Sequence, residues 1–168
     1  DLSIDQSIDF GSTAAAFTGD DSADFTVEFE PSATALEKQG AGYVVASLGV
    51  DSGYVPYTSY SAKTSYMEKN PEIMQKFTDA LQKGMDFVQN HTPEEIAEII
   101  EPQFPETDLD TITAIVKRYY DQDTWKENLV FEQEGFELLQ DILEDAGELK
   151  ERTPYAELVN TEFAQNAS

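Results

Sequence analysis

The sequence contains no cysteine. Disulfides, thiolate metal sites and cysteine nucleophiles are excluded with it. Histidine occurs once, at His91, so a Ser-His-Asp triad would have to be built on a residue beside a helix start. Cations are scarce: Lys and Arg total 10 against 34 Asp and Glu, a formal net charge of −24 that is spread along the chain. Such an acidic surface repels phosphate backbones and anionic lipid, which argues against nucleic-acid or peripheral membrane partners and otherwise serves solubility. No apolar run approaches the roughly 18–20 residues of a membrane span. The N-terminus shows no basic, apolar, small-residue leader.

What is present is 168 residues, 40% of them apolar, enough for one ordinary domain or parts of two and for a packed core. The two parts of the chain differ in character. Residues 1–60 carry nearly all the β signal, at Leu2-Ser3-Ile4 and in 25–29, 43–48 and 54–60, together with six of the nine glycines. Phe25, Val27 and Phe29 alternate with Thr26, Glu28 and Glu30, the period-two pattern of a strand with one apolar face. Pro31 stops that strand and suits a first helical turn. Ala33, Leu36 and Glu37 continue at helical spacing until Gly40 and Gly42, and residues 43–48 are apolar again. The unit reads β–α–β, with Glu30 at the carboxyl end of its first strand, where open α/β sheets bind ligands.

Residues 61–168 read as helices with clear start signals. Asn70-Pro71-Glu72 and Thr92-Pro93-Glu94-Glu95 each place a cap, a proline and an acid in order. Ile73, Phe77, Ala80, Leu81, Gly84 and Val88 form an apolar stripe behind the first. Ile96, Ile99 and Ile100 follow the second. A third helix starts at Thr107 or Asp108 with Leu109, Ile112, Ile115, Val116 and Tyr119 inward. A fourth runs over 132–146 with Phe136, Leu139, Ile142 and Leu143 on one side and Gly147 as its stop, and Thr153-Pro154 opens a last short one. Few strands and several amphipathic helices leave apolar faces uncovered, which predicts a chain that oligomerises or belongs to something larger.

Several patterns carry no chemistry. Asp9-Phe10-Gly11 copies a kinase triplet without its accompanying loops. The acids in 20–24 lack the glycine and the twelfth-position glutamate of a calcium loop and read as a solvated turn. Trp125, Tyr119 and Tyr120 read as core.

The run Ala14-Ala15-Ala16-Phe17-Thr18-Gly19, the strand end Phe29-Glu30-Pro31 and the stretch from Gly42 through Tyr43-Val44-Val45 to Gly49 carry a family likeness. Val55-Pro56-Tyr57-Thr58, Asn70-Pro71-Glu72 and Ala146-Gly147-Glu148-Leu149-Lys150 continue it in order. Together they resemble the substrate-binding proteins of ABC importers for nitrate, sulfonates, taurine and thiamine-pyrimidine precursors. The resemblance implies an α/β fold: a partial type II periplasmic-binding-protein fold with a helix-rich C-terminal half and the first-lobe sheet missing. It divides the chain into the remainder of a second lobe (1–54), a crossing hinge strand (55–62) and helices belonging to the first lobe (63–168). It also implies an extracytoplasmic lipoprotein or periplasmic component without catalysis or cofactor. Such a component works with permease subunits, and its signal segment lies outside these residues.

Glu30 is the first candidate ligand-binding residue. Its carboxylate either accepts hydrogen bonds from a ligand's amino groups or caps the helix that follows, a placement worth roughly 0.3–1 kcal/mol. Lys38 is the sole cation in residues 1–62, so a neutral or cationic nitrogenous ligand fits better than a sulfonate or nitrate. Phe10, Phe29, Tyr54 and Tyr57 are candidates to stack on a flat heterocycle, with core packing as the alternative. Ser12 and Thr13 present a helix start to a polar group, or simply cap it. Two rival functions stay open. One is a pyrimidine-precursor synthase-like enzyme, which zero Cys and one His oppose; the other is an interaction module that dimerises by swapping helices.

Overall fold

Side-chain caps open only some of the helices, and Asn70, an expected cap, makes no capping bond. A computed structural model describes residues 3–168. Its helices are α1 (Thr13–Gly19), α2 (Ser32–Lys38), α3 (Leu48–Asp51), α4 (Thr64–Lys69), α5 (Pro71–Asn90), α6 (Pro93–Ile100), α7 (Leu109–Asp121), α8 (Gln133–Asp145), α9 (Tyr155–Leu158) and α10 (Glu162–Gln165). Thr92 and Glu95 form a reciprocal capping box at the start of α6, and the Asp108 carboxylate accepts the Thr111 amide at the start of α7. Gly147 closes α8 at φ 75°, where the amides of Gly147 and Glu148 reach back to Glu144 and Leu143.

The core lies where the end of α5 meets α6 and α7. Ile96, Ala97, Ile112 and Val116 are buried together, with Phe87, Val88, Ile100, Leu109 and Trp125 packed around them. The inward positions of α7 are those its spacing predicts. Tyr119 meets Trp125 edge-on, at 6.1 Å between ring centroids, whereas Tyr120 is exposed rather than core. A smaller aromatic cluster joins Phe131, Phe136 and Tyr155 around the start of α8.

On α5 the inward face takes up only part of the apolar stripe, Leu81 and Val88, which are half-buried. Ile73, Phe77, Ala80 and Gly84 are exposed, and of a row of glutamines seven residues apart Gln75 and Gln82 turn inward while Gln89 stays exposed. The Gln75 amide donates to the Phe163 carbonyl (3.1 Å), Gln82 to that of Glu127 (3.0 Å), and Gln89 to that of Trp125 (3.1 Å). The seven-residue period keeps one helical face in register. Side-chain amides thereby supply hydrogen-bond partners to irregular backbone.

The α/β expectation, and with it the partial type II periplasmic-binding-protein fold, is overturned: the described residues are helical and form no strand or sheet. Residues 25–29, 43–47 and 54–60 adopt neither helix nor ladder. The first expected strand, at Leu2-Ser3-Ile4, is likewise unformed at Ser3 and Ile4, and Leu2 lies outside the described residues. The reason is physical. A strand is stabilised by a neighbour that accepts its ladder hydrogen bonds and shares its apolar face. No such neighbour lies alongside these segments among the described residues.

Candidate functional site

The polar face of α7 holds the first third of the chain. Thr111, Arg118 and Gln122 share that face at i, i+7 and i+11, and each meets a residue from 34–47. The Lys38 ammonium donates to the Thr111 hydroxyl, beside the Asp108 carboxylate at 3.5 Å. The Ser47 hydroxyl donates to Gln122 (3.1 Å). Just beyond, the Tyr54 hydroxyl donates to Asp123 (2.7 Å), and that hydrogen bond raises the phenol's pKa.

At the centre of this row the Arg118 guanidinium forks between two carboxylates. One of its nitrogens donates to Glu30 and, at 3.3 Å, to the Thr34 hydroxyl; the other donates to Glu37. The other Glu30 oxygen accepts the Thr34 amide at 3.0 Å, in the first turn of α2. Glu30 therefore does cap the helix that follows it, and it is paired as well. Its side chain is 5% exposed and that of Arg118 24%, so this is a largely desolvated ion pair. The Val44 amide hydrogen bond and then Arg118 hold Glu37 below the usual carboxylate range. Burial works against the Arg118 charge, but Glu37 and Glu30 outweigh it and raise its pKa.

An aromatic chain adjoins the ion pair. Phe29 lies edge-on to Phe10 at 4.8 Å and to Tyr57 at 5.2 Å between centroids, and its next residue is Glu30. Behind them, burial pushes the Tyr119 hydroxyl up, with the main chain of Glu30 acting in the opposite direction. Four of the expected residues, Phe10, Phe29, Glu30 and Tyr57, thus come together from separate segments. Ser12 and Thr13 lie at the start of α1, where the Thr13 hydroxyl is spent on the Phe10 carbonyl (2.8 Å). Tyr54 points away to Asp123. The acids at 20–24 make a solvated turn in which Asp20 accepts the Ser22 amide (2.8 Å). His91 stacks on Phe87 at 3.7 Å with Nδ1 against the Phe87 carbonyl, a structural setting.

Reading the sequence missed Arg118, Tyr119 and Glu37. A signal for Arg118 existed: it is one of two arginines in the chain, and arginine suits a bridge between two carboxylates. The cluster holds two carboxylates and one guanidinium, leaving one negative charge in excess. Phe29, Phe10 and Tyr57 beside it are exposed. Such a surface stacks flat rings and favours neutral or cationic ones. A shallow groove between α8 and residues 152–156, lined by Gln133, Glu137, Gln140 and Arg152, includes none of these aromatics.

No family profile matches the sequence, and no solved structure matches it. A protein of Bacillus subtilis (strain 168) named "Putative binding protein YtlA" is 39% identical to it over all 168 residues. The chain spans about half the length of that relative, 50% of it, so the similarity is to one part of a longer protein.

Proposed function

We propose that this chain is a binding protein rather than an enzyme: the solute-binding component of an ABC importer, extracytoplasmic, passing a small molecule to permease subunits. The geometry that supports this reading is the Phe10–Phe29–Tyr57 chain set against a charge-compensated Glu30. The printed name of the Bacillus relative, "Putative binding protein YtlA", supports the binding part of this reading. The ligand of this reading is a flat, neutral or cationic nitrogenous ring such as an aminopyrimidine. It stacks on Phe29 and Tyr57, and the excess negative charge of the Glu30–Arg118–Glu37 group attracts its amino nitrogen. A sulfonate or nitrate meets no free cation there, because Arg118 is already engaged by both carboxylates. The synthase alternative finds no support in the environment of His91, whose ring serves α5.

A thermal-shift screen of aminopyrimidines, polyamines and sulfonates tests the proposal. Stabilisation by aminopyrimidines, lost in Phe29→Ala, is expected. Stabilisation by sulfonates alone would reject the site as assigned.

A further inference from the structure

Tyr57 has little around its own side chain to hold it in the aromatic site. Its ring meets Phe29 edge-on at 5.2 Å, yet the residue is 79% exposed. Its place is therefore set by the main chain that leads to it. That chain is stiff. Gly53, at φ 80°, makes a left-handed turn, and the Val55 amide donates to the Gly53 carbonyl (2.9 Å). Pro56 fixes its own φ and keeps Val55 out of helical backbone angles, so a shift at Tyr54 or Pro56 carries through to Tyr57. Val55 and Pro56 are half-buried between exposed neighbours, which marks where this segment rests on the rest of the molecule.

What it rests on is α8. Gly135 lies half-buried in the first turn of that helix. A methyl group on its Cα would lie 3.0 Å from the Tyr54 carbonyl oxygen and 3.4 Å from Pro56 Cδ. The nearer of these atoms is main chain, which cannot rotate aside as a side chain can. Glycine is the poorest helix former after proline, so a helix that carries one here gains the close approach that a side chain would forbid. Gly84, in the middle of α5, gives the contrast: a methyl group there would meet nothing within 4 Å.

We infer that Gly135 is a positioning residue for the aromatic site. By letting the main chain of residues 54–56 lie directly on α8, it sets where Tyr57 stands against Phe29. The two rings are held from different helices, Phe29 through the Glu30–Arg118 pair of α7 and Tyr57 through Gly135 of α8. The surface on which a flat solute would stack then depends on α8 as well as on α7. That consequence rests on the solute reading; the placement of Tyr57 does not.

Nuclear Overhauser spectra of wild type, Gly135→Ala and Gly84→Ala test the inference. In wild type the Gly135 α-protons should show cross-peaks to the Pro56 δ-protons, and the Tyr57 ring to the Phe29 ring. Gly135→Ala should lose the Tyr57–Phe29 cross-peak and keep that between Phe10 and Phe29, whereas Gly84→Ala keeps both. Affinity for 4-aminopyrimidine should fall by about tenfold in Gly135→Ala, the scale of one misplaced aromatic partner, and stay unchanged in Gly84→Ala. Absence of the Gly135–Pro56 cross-peak in wild type overturns the inference whether or not the variants fold. A Tyr57–Phe29 cross-peak that persists in Gly135→Ala overturns it too. Loss of that cross-peak, with 4-aminopyrimidine bound by none of the three proteins, supports the placement of Tyr57 and rejects the solute reading instead.

Discussion

The Arg118 guanidinium on α7 grips the Glu30 carboxylate across 88 residues of sequence, and the same carboxylate accepts the first-turn amide of Thr34. One side chain thus fixes α2, the loop that leads into it and the neighbouring Phe29 onto the helical part. Glu37 takes the other arm of the fork, so losing the guanidinium strands two acids at once.

Arg118→Ala is expected to cost about 2–3 kcal/mol, the range for charge-assisted bonds whose partners are left desolvated. Arg118→Lys should restore only part of it, because an ammonium lacks the planar fork that reaches both carboxylates. Urea denaturation of the three proteins checks the order wild type, Lys, Ala.

Acid should erase part of this contribution. Glu37 has its pKa lowered from an ordinary 4.5, so its ionised form stabilises the folded chain above that value. The stability is lost as pH falls through the lower, folded value. The difference in unfolding free energy between wild type and Glu37→Gln should be full near neutrality and shrink below about pH 4.5. Measuring that difference cancels the general relief of negative repulsion that acid brings to so acidic a chain. A difference that grows on acidification would reverse the assignment.

The glutamine row of α5 predicts graded losses. Gln82→Leu removes from a buried side chain the donor to the Glu127 carbonyl, for about 1 kcal/mol. Gln89→Leu, at an exposed position, should stay within about 0.5 kcal/mol. Thermal denaturation of the pair distinguishes a structural row from a decorative one.

Glu30→Gln separates pairing from ligand contact. Both oxygens of Glu30 are engaged within the chain, so its loss of charge should lower stability, and affinity should fall through displacement of Phe29 rather than loss of a direct bond. Calorimetry with 4-aminopyrimidine, run on Glu30→Gln and on Arg118→Lys, should show parallel losses. A loss confined to Glu30→Gln would indicate that the ligand meets the carboxylate itself.

Helices were legible in the sequence because their signals are local. Thr92 and Glu95 are three residues apart, Asp108 caps at Thr111, and Gly147 ends α8 at its own φ. The strands were misjudged because their existence depends on a partner. Val27 and Tyr43 have the pattern of a half-buried strand, but pattern records a preference for a neighbour and does not supply one. The stripe of α5 was legible in part: Leu81 and Val88 are half-buried, whereas Ile73 and Phe77 are exposed and Gln75 and Gln82 hold backbone carbonyls. Of the candidate site, Glu30 was singled out from the end of an expected strand and the aromatics from their residue type. Arg118 was hidden by its distance in sequence.

The proposed solute site is tested most directly by nuclear magnetic resonance of the Phe10, Phe29 and Tyr57 rings during titration with 4-aminopyrimidine, with taurine as the anionic comparison. Saturable ring-current shifts at all three residues with 4-aminopyrimidine, absent with taurine and abolished by Phe29→Ala, are the predicted result. Shifts produced by taurine, or by 4-aminopyrimidine only at residues remote from Phe29, would contradict it.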